Sequence, residues 1–181
     1  EAILPRYEGP GPRYTSYPTA PVWTAAYGAG DFERDLPALA NGEALALYAH
    51  VPFCTSLCHF CACNRIITRD AALPERYLDA IAREIDAVRT RIASPAPAAQ
   101  LHWGGGTPTH LEPAQIRRLF HALTDAFPLR AGAEVSIEVD PRVTTAAQVE
   151  ALRELGFDRI SLGVQDVEPR VEQVEQDRRI D

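Results

Sequence analysis

The sequence predicts an α/β protein built on a parallel sheet, either open or rolled into a barrel. Three observations carry this. Short apolar strands alternate with amphipathic helices along the chain. Each strand has one apolar and one polar face, so the helices cover one side only. The polar residues and the richest loops fall at the C-terminal ends of the strands, where parallel α/β folds place their chemistry.

Residues 1–30 are rich in Pro, Gly and Tyr, as in Gly9-Pro10-Gly11-Pro12-Arg13-Tyr14-Thr15-Ser16-Tyr17-Pro18. Such a segment is unsuited to a helix or a central strand, and too aromatic for a disordered linker. It reads as an extended arm lying on the surface or over a site. Asp31 to about Ala40 suits a short helix, weakened by Pro37. Residues 1–43 are therefore expected to form the arm and a short helix, and 44–181 the α/β part.

Ala44–Val51 reads as a strand, with Leu45, Leu47 and Ala49 on one face and Ala46, Tyr48 and His50 on the other. Pro74–Ile92 reads as a helix whose stripe is Tyr77, Leu78, Ile81, Ile85, Val88 and Ile92. Ser94–Ala98 is a Pro-containing connection. Gln100–Trp103 is a short strand ending in Gly104-Gly105-Gly106-Thr107-Pro108. Pro113–Phe127 is a helix with Ile116, Leu119, Phe120, Leu123 and Phe127 inward. Glu134–Val139 alternates as a strand, with Val135, Ile137 and Val139 against Glu134, Ser136 and Glu138. Thr145 and Gln148 form a capping box that opens a helix to Leu155, ended by Gly156. Arg159–Val164 is a fourth strand, and a last helix begins near Glu168.

A chain of 181 residues suffices for one domain with a real core. Its net charge of −7 argues against a general nucleic-acid binder. No apolar run approaches the roughly 20 residues of a membrane span, and no signal pattern opens the chain. A cytoplasmic protein, trimmed or a fragment because it begins at Glu1, is expected.

All four cysteines lie between Cys54 and Cys63, with gaps of three, two and one residue. Disulfides would make tiny strained loops, and core filling would not gather all four in one run. Metal binding accounts for the spacing best. Structural zinc usually draws two ligand pairs from separate knuckles. One compact loop better suits an iron–sulfur cluster, whose thiolates must reach different corners.

The polar faces of the strands carry Tyr48, His50, His102, Ser136, Glu138 and Gln165, too polar for a filled barrel core. The triple glycine lets backbone approach a ligand closely; alone it is more often a tight turn, but beside the cysteine loop at a strand end a site is favoured, and it lacks the Gly-Lys-Ser/Thr end of a phosphate loop. Glu138 can pair on a surface or accept hydrogen bonds from a ligand amine or hydroxyls. Gln165 can be a core amide or a ligand contact. Tyr48 can be a packing residue.

Cys54-x3-Cys58-x2-Cys61 resembles the signature of radical S-adenosylmethionine (SAM) enzymes. Cys63 narrows the resemblance. So do Pro12-Arg13-Tyr14-Thr15-Ser16-Tyr17-Pro18, His50-Val51-Pro52-Phe53-Cys54, Leu101-His102-Trp103-Gly104-Gly105-Gly106-Thr107-Pro108 and Ile137-Glu138-Val139-Asp140-Pro141. Together, from about residue 5 to 166, they look like the oxygen-independent coproporphyrinogen III oxidase (dehydrogenase) family of haem synthesis.

The resemblance implies a partial (β/α) barrel of the radical SAM type, reduced to about the first four βα units behind the arm. It implies that Cys54, Cys58 and Cys61 ligate a [4Fe–4S] cluster whose open iron is chelated by SAM, with Cys63 not an obligatory ligand. Tyr48, Phe60, Gly105, Gly106, Thr107, Glu138 and Gln165 match positions around SAM, of which the family carries two. Arg13, in the arm motif, is the candidate for holding a substrate propionate.

The implied reaction is reductive. An electron from a donor of unknown identity cleaves SAM, and the 5′-deoxyadenosyl radical takes hydrogen from a propionate. Loss of carbon dioxide and one electron leaves a vinyl, turning coproporphyrinogen III into protoporphyrinogen IX. The family's Val-Asn-Arg after Gln165-Asp166 is replaced by Glu175-Gln176-Asp177 here, with Arg178 one place late. A haem carrier of the same superfamily is the alternative, although such relatives lack the arm motif and carry an aromatic residue at the Cys63 position. A fragment that binds a cluster without turning over is another, and a zinc-stabilised module a third.

Overall fold

A computed structural model describes residues 22, 24–40, 44–58, 61–92, 94–163 and 168. The chain divides into two compact units, Glu1–Arg34 and Asp35–Asp181. In the first, helix α1 (Ala29–Asp35) begins inside the stretch expected to be non-helical. Its first turn is fixed by the Asp31 carboxylate, which accepts the Gly28 N–H at 2.9 Å. The helix was expected to run on to Ala40. Instead it gives way to a 3₁₀ segment, Leu36–Ala40, since Pro37 has no N–H to continue the α ladder.

The second unit is a four-stranded parallel sheet in the order β1 (Leu45–Val51), β4 (Ala98–Gly105), β5 (Leu129–Val139) and β6 (Arg159–Leu162). Helices α2 (Ala72–Arg91), α3 (Pro113–Ala126) and α4 (Ala146–Glu154) connect them. The strands neighbour one another in chain order, and α2 packs on α3 and α3 on α4. All three helices thus lie on one face, as in a barrel wall wound in one direction rather than a doubly wound sheet. A further pair, β2 (Phe53–Cys54) and β3 (Ile66–Ile67), forms a small separate parallel sheet.

The core fills the space between sheet and helices. Ala49, Val51, Leu101, Trp103, Val135 and Ile137 are buried against Leu78, Ile85, Ile116, Leu119, Phe120, Leu123 and Leu152. The stripe expected on α3 is buried, while on α2 Leu78, Ile85 and Ile92 are buried and Tyr77, Ile81 and Val88 are partly buried against the core. α4 is closed at its start by the expected capping box: Thr145 Oγ1 accepts the Gln148 N–H at 3.3 Å, and the Gln148 side chain accepts the Thr145 N–H at 2.7 Å. At its end Gly156 takes the left-handed conformation, φ +86°.

Two strands are longer than the alternation suggested. β4 starts at Ala98, within the expected connection, and runs on through Gly104 and Gly105. β5 starts at Leu129. Both early segments lie beyond a register irregularity, between Ala98 and Gln100, and such a break hides period-2 patterning. The fourth strand is described only to Leu162; Val164, Gln165 and all but the first residue of the helix expected near Glu168 lie outside the described residues. Among the described residues, no helix is long and apolar enough to cross a membrane.

Candidate active site at the C-terminal rim of the sheet

The face of the sheet opposite the helices is polar and open. Tyr48, His102 and Ser136 occupy one rung across β1, β4 and β5. The Tyr48 and His102 rings stack with centroids 5.9 Å apart. His102 Nδ1 lies 2.7 Å from Ser136 Oγ, and its Nε2 3.7 Å from Glu138 Oε1. Tyr48 is 58% exposed on this face. Partial burial, and then the nearby Glu138 and Cys63, push its hydroxyl pKa up.

His50, one pleat further on, joins this face to the cysteine loop. Its Nε2 is 2.7 Å from the Asn64 carbonyl oxygen, which can only accept, so Nε2 carries the proton. Nδ1 then accepts the Tyr48 hydroxyl at 3.0 Å. The backbone carbonyl of His50 accepts a further bond, 2.6 Å, from the Tyr77 hydroxyl of α2. Tyr77 belongs to the helix stripe expected to be merely apolar; the inward tyrosine within that stripe was the only available signal of the bond.

The glycine turn, made by Gly104 and Gly105 at the end of β4 and Gly106 just after it, interlocks with the root of the cysteine loop. Gly106 N–H donates to the Val51 carbonyl at 2.8 Å and Thr107 N–H to that of Phe53 at 2.7 Å. A Cβ on Gly106 would come within 2.7 Å of the Pro52 carbonyl oxygen, and one on Gly104 within 2.9 Å of a Glu138 carboxylate oxygen. Gly105 has φ +120°, where an L side chain is strained. Gly106 is thus already required by backbone against backbone, Gly105 by its backbone conformation, and Gly104 by the side chains of Glu138 and Tyr48. Glu138 belongs to the same junction, because its Oε2 accepts the Gly105 N–H at 3.3 Å.

Cys54 ends β2 and is buried, its sulfur 3.5 Å from Thr107 Oγ1. The main-chain bonds from Ile66 N–H to the Pro52 carbonyl (2.7 Å) and from Thr68 N–H to the Cys54 carbonyl (2.9 Å) close the loop back on its own base. Between these ends Cys58 and Cys61 are half-buried and linked by a turn, Cys61 N–H to the Cys58 carbonyl at 3.1 Å, while Cys63 is exposed. All four thiols are free. Burial, above all, pushes the Cys54 and Cys63 thiols up, with neighbouring thiols adding to the shift. Among the described residues, no three histidine, cysteine or carboxylate side chains converge closely enough to hold a metal ion.

Of the residues singled out from sequence, the structure brings Tyr48, Gly105, Gly106, Thr107, Glu138, Cys54, Cys58 and Cys61 to this one rim. Arg13, Phe60 and Gln165 lie outside the described residues. The strand ends also bring in residues to which sequence reasoning gave no part in the site. Asp140, just after β5, adds to the upward push on the Cys54 thiol, and its carboxylate holds the Arg142 guanidinium, with Nε at 2.8 Å. The buried Gln148 donates to the Thr109 and Leu111 carbonyls at 2.6 and 2.8 Å, tying α4 to the loop after the glycine turn.

Residues 48–181 match the pattern of the Radical SAM superfamily, so the chain belongs to that superfamily. Two relatives sharpen the placement. Over 175 residues the chain is 45% identical to the oxygen-independent coproporphyrinogen III oxidase of Escherichia coli K12, covering 96% of this chain and 37% of that one. It is 46% identical over 164 residues to the enzyme of that name from Paracoccus denitrificans, covering 90% and 36%. The solved structure of the coproporphyrinogen III oxidase HemN from Escherichia coli, described as a radical SAM enzyme, superposes with a TM-score of 0.83 at 41% identity, over 97% of this chain and 39% of that one. The fold is thus a portion of that radical SAM α/β barrel, and the chain spans about 37% of the length of the first of these relatives. Members of the superfamily in general use a [4Fe–4S] cluster and SAM.

Proposed function

We propose that this chain is the cluster- and SAM-binding part of an oxygen-independent coproporphyrinogen III oxidase, which converts propionates of coproporphyrinogen III to the vinyls of protoporphyrinogen IX. The observation that carries the reading is the junction at the rim. The glycine turn, the Glu138 carboxylate and the base of a three-thiol loop are joined there by short main-chain and side-chain bonds. The donor set suits an iron–sulfur cluster: three free thiols on one short loop whose ends are tied back to its own base.

Cys54, Cys58 and Cys61 would hold the cluster. Tyr48, Gly105, Gly106, Thr107 and Glu138, together with Phe60 and Gln165, would hold SAM. When bound, cluster and SAM supply an electron and a radical able to take hydrogen from unactivated carbon.

The chain's own residues do the positioning. Glu138, already accepting the Gly105 N–H, has a second carboxylate oxygen to receive a cationic ligand amine. Tyr48 and His102 offer stacked rings as one wall of the open face. His50 keeps that wall in register with the cysteine loop through Asn64. Burial of the Cys54 thiol at the strand end excludes water from the inner edge of the site. Arg13 is the proposed propionate contact. An external electron donor and coproporphyrinogen III are the proposed partners, with no role for nucleic acid or membrane, and the cytoplasm the proposed location.

Anaerobic reconstitution with iron and sulfide tests this. The chain should bind about four irons and take the brown absorbance of a [4Fe–4S] protein. A colourless chain with one tightly held zinc would contradict it. Coproporphyrinogen should then raise 5′-deoxyadenosine formation; indifference to it would point to a carrier.

A further inference from the structure

Besides locking to the cysteine loop, the glycine turn carries a hydroxyl to one of its sulfurs. Thr107 stands before the 3₁₀ turn Pro108–His110, where a threonine commonly caps a helix start, and its carbonyl accepts the His110 N–H at 2.8 Å. Its side chain makes no cap bond. Instead Thr107 Oγ1 lies 3.5 Å from Cys54 Sγ, and among the described residues this is the hydroxyl's one hydrogen bond. The two residues are 53 apart in sequence, and two main-chain bonds fix their approach. Gly106 N–H donates to the Val51 carbonyl at 2.8 Å, and Thr107 N–H to that of Phe53, next to Cys54, at 2.7 Å. The backbone of Cys54 is held in turn by its pairing with Ile67. Thr107 and Cys54 are each 8% exposed, so water competes little for the bond. Burial pushes the Cys54 thiol up, and the Thr107 bond works against that push by favouring the thiolate.

Resting on the reading of Cys54, Cys58 and Cys61 as cluster ligands, we propose that Thr107 is a positioning residue whose hydroxyl donates to the Cys54 sulfur and raises the reduction potential of the cluster. A thiol and a hydroxyl can each donate, but a ligating thiolate has no proton, so the hydroxyl is then the donor. A cluster that accepts an electron gains negative charge, part of it on its sulfurs. A hydrogen bond to one of them favours the reduced form. In a site closed to water that bond counts for more than it would at the surface. The role is separate from any contact with SAM, because the donor is directed at the ligating sulfur and acts before SAM is bound.

The test is a redox titration of the anaerobically reconstituted chain with dithionite as the one-electron donor, without SAM, followed by EPR of the reduced cluster. T107V keeps the branched shape and loses the hydroxyl. Its equilibrium should move roughly fivefold toward the oxidised form, a midpoint about 40 mV more negative. T107S returns the hydroxyl and should recover at least half of the shift. T107A differs from T107S by the one oxygen and should titrate below it, which keeps the comparison available if valine hinders cluster loading. An unchanged midpoint in T107V, the full shift persisting in T107S, or equal midpoints in T107S and T107A would overturn the inference while leaving the cluster assignment standing. A parent chain that binds no iron would overturn the assignment itself, and this inference with it.

Discussion

The two faces of the sheet are made of the same strands and obey different rules. On the helix side Ala49, Leu101, Trp103 and Ile137 are at most 1% exposed and contribute by being out of water. On the opposite side Tyr48, His102, Ser136 and Glu138 stay partly wet and are held by particular bonds to named partners. One face is specified by volume and the other by geometry. A substitution on the first should therefore cost stability, and one on the second should cost binding.

The largest expected effect sharpens that contrast at the loop. Replacing Cys54, Cys58 or Cys61 by serine should abolish cluster loading, read as iron content, while changing the apo chain's unfolding midpoint little at the two less buried positions. Next comes Leu101→Ala on the covered face, which should lose about 2–5 kcal/mol in denaturant unfolding through cavity formation, without changing the ligand set. Gly106→Ala would break the division, because the same backbone serves both sides. Its Cβ would press on the Pro52 and Phe53 carbonyls, so a loss of about 1–3 kcal/mol is expected together with poorer iron retention. Glu138→Gln should leave unfolding nearly unchanged and weaken SAM binding by about tenfold, measured by calorimetry on the reconstituted chain. The smallest effect belongs to Arg118→Ala. It removes exposed ion pairs to Glu75 and Asp79 between α2 and α3 and should cost less than about 1 kcal/mol.

The covered face was largely legible in the sequence because period-2 and period-3.6 patterns record burial directly. Ile116, Leu119, Phe120 and Leu123 on α3, Phe127 just after it, and Val135 and Ile137 on β5 were identified residue by residue and are buried, while Val139, expected on the same face, is half-buried. The rim was legible as a set of residues but not as a set of bonds. Strand parity placed Tyr48, His50, His102, Ser136 and Glu138 on one side. It could not show that His50 reaches Asn64, fourteen residues on, or that Glu138 accepts from Gly105.

The parallel pairing of Phe53–Cys54 with Ile66–Ile67 left no sequence signal, since each partner is only two residues long. The triple glycine was read as room for a ligand. The structure adds a reason of its own, the interlocking of that turn with the carbonyls of Pro52 and Phe53. Asp140 was visible only as part of a motif and Arg142 not at all, because a charge two residues from its partner leaves no periodic trace.

The central claim is that the three-thiol loop and the Glu138 rim act together as one site. EPR of the dithionite-reduced, reconstituted chain, recorded with and without SAM, tests it most directly. The account predicts a [4Fe–4S] signal whose shape changes on adding SAM, and whose change is lost in Glu138→Gln although the cluster remains. A cluster signal indifferent to SAM in the parent chain would contradict it.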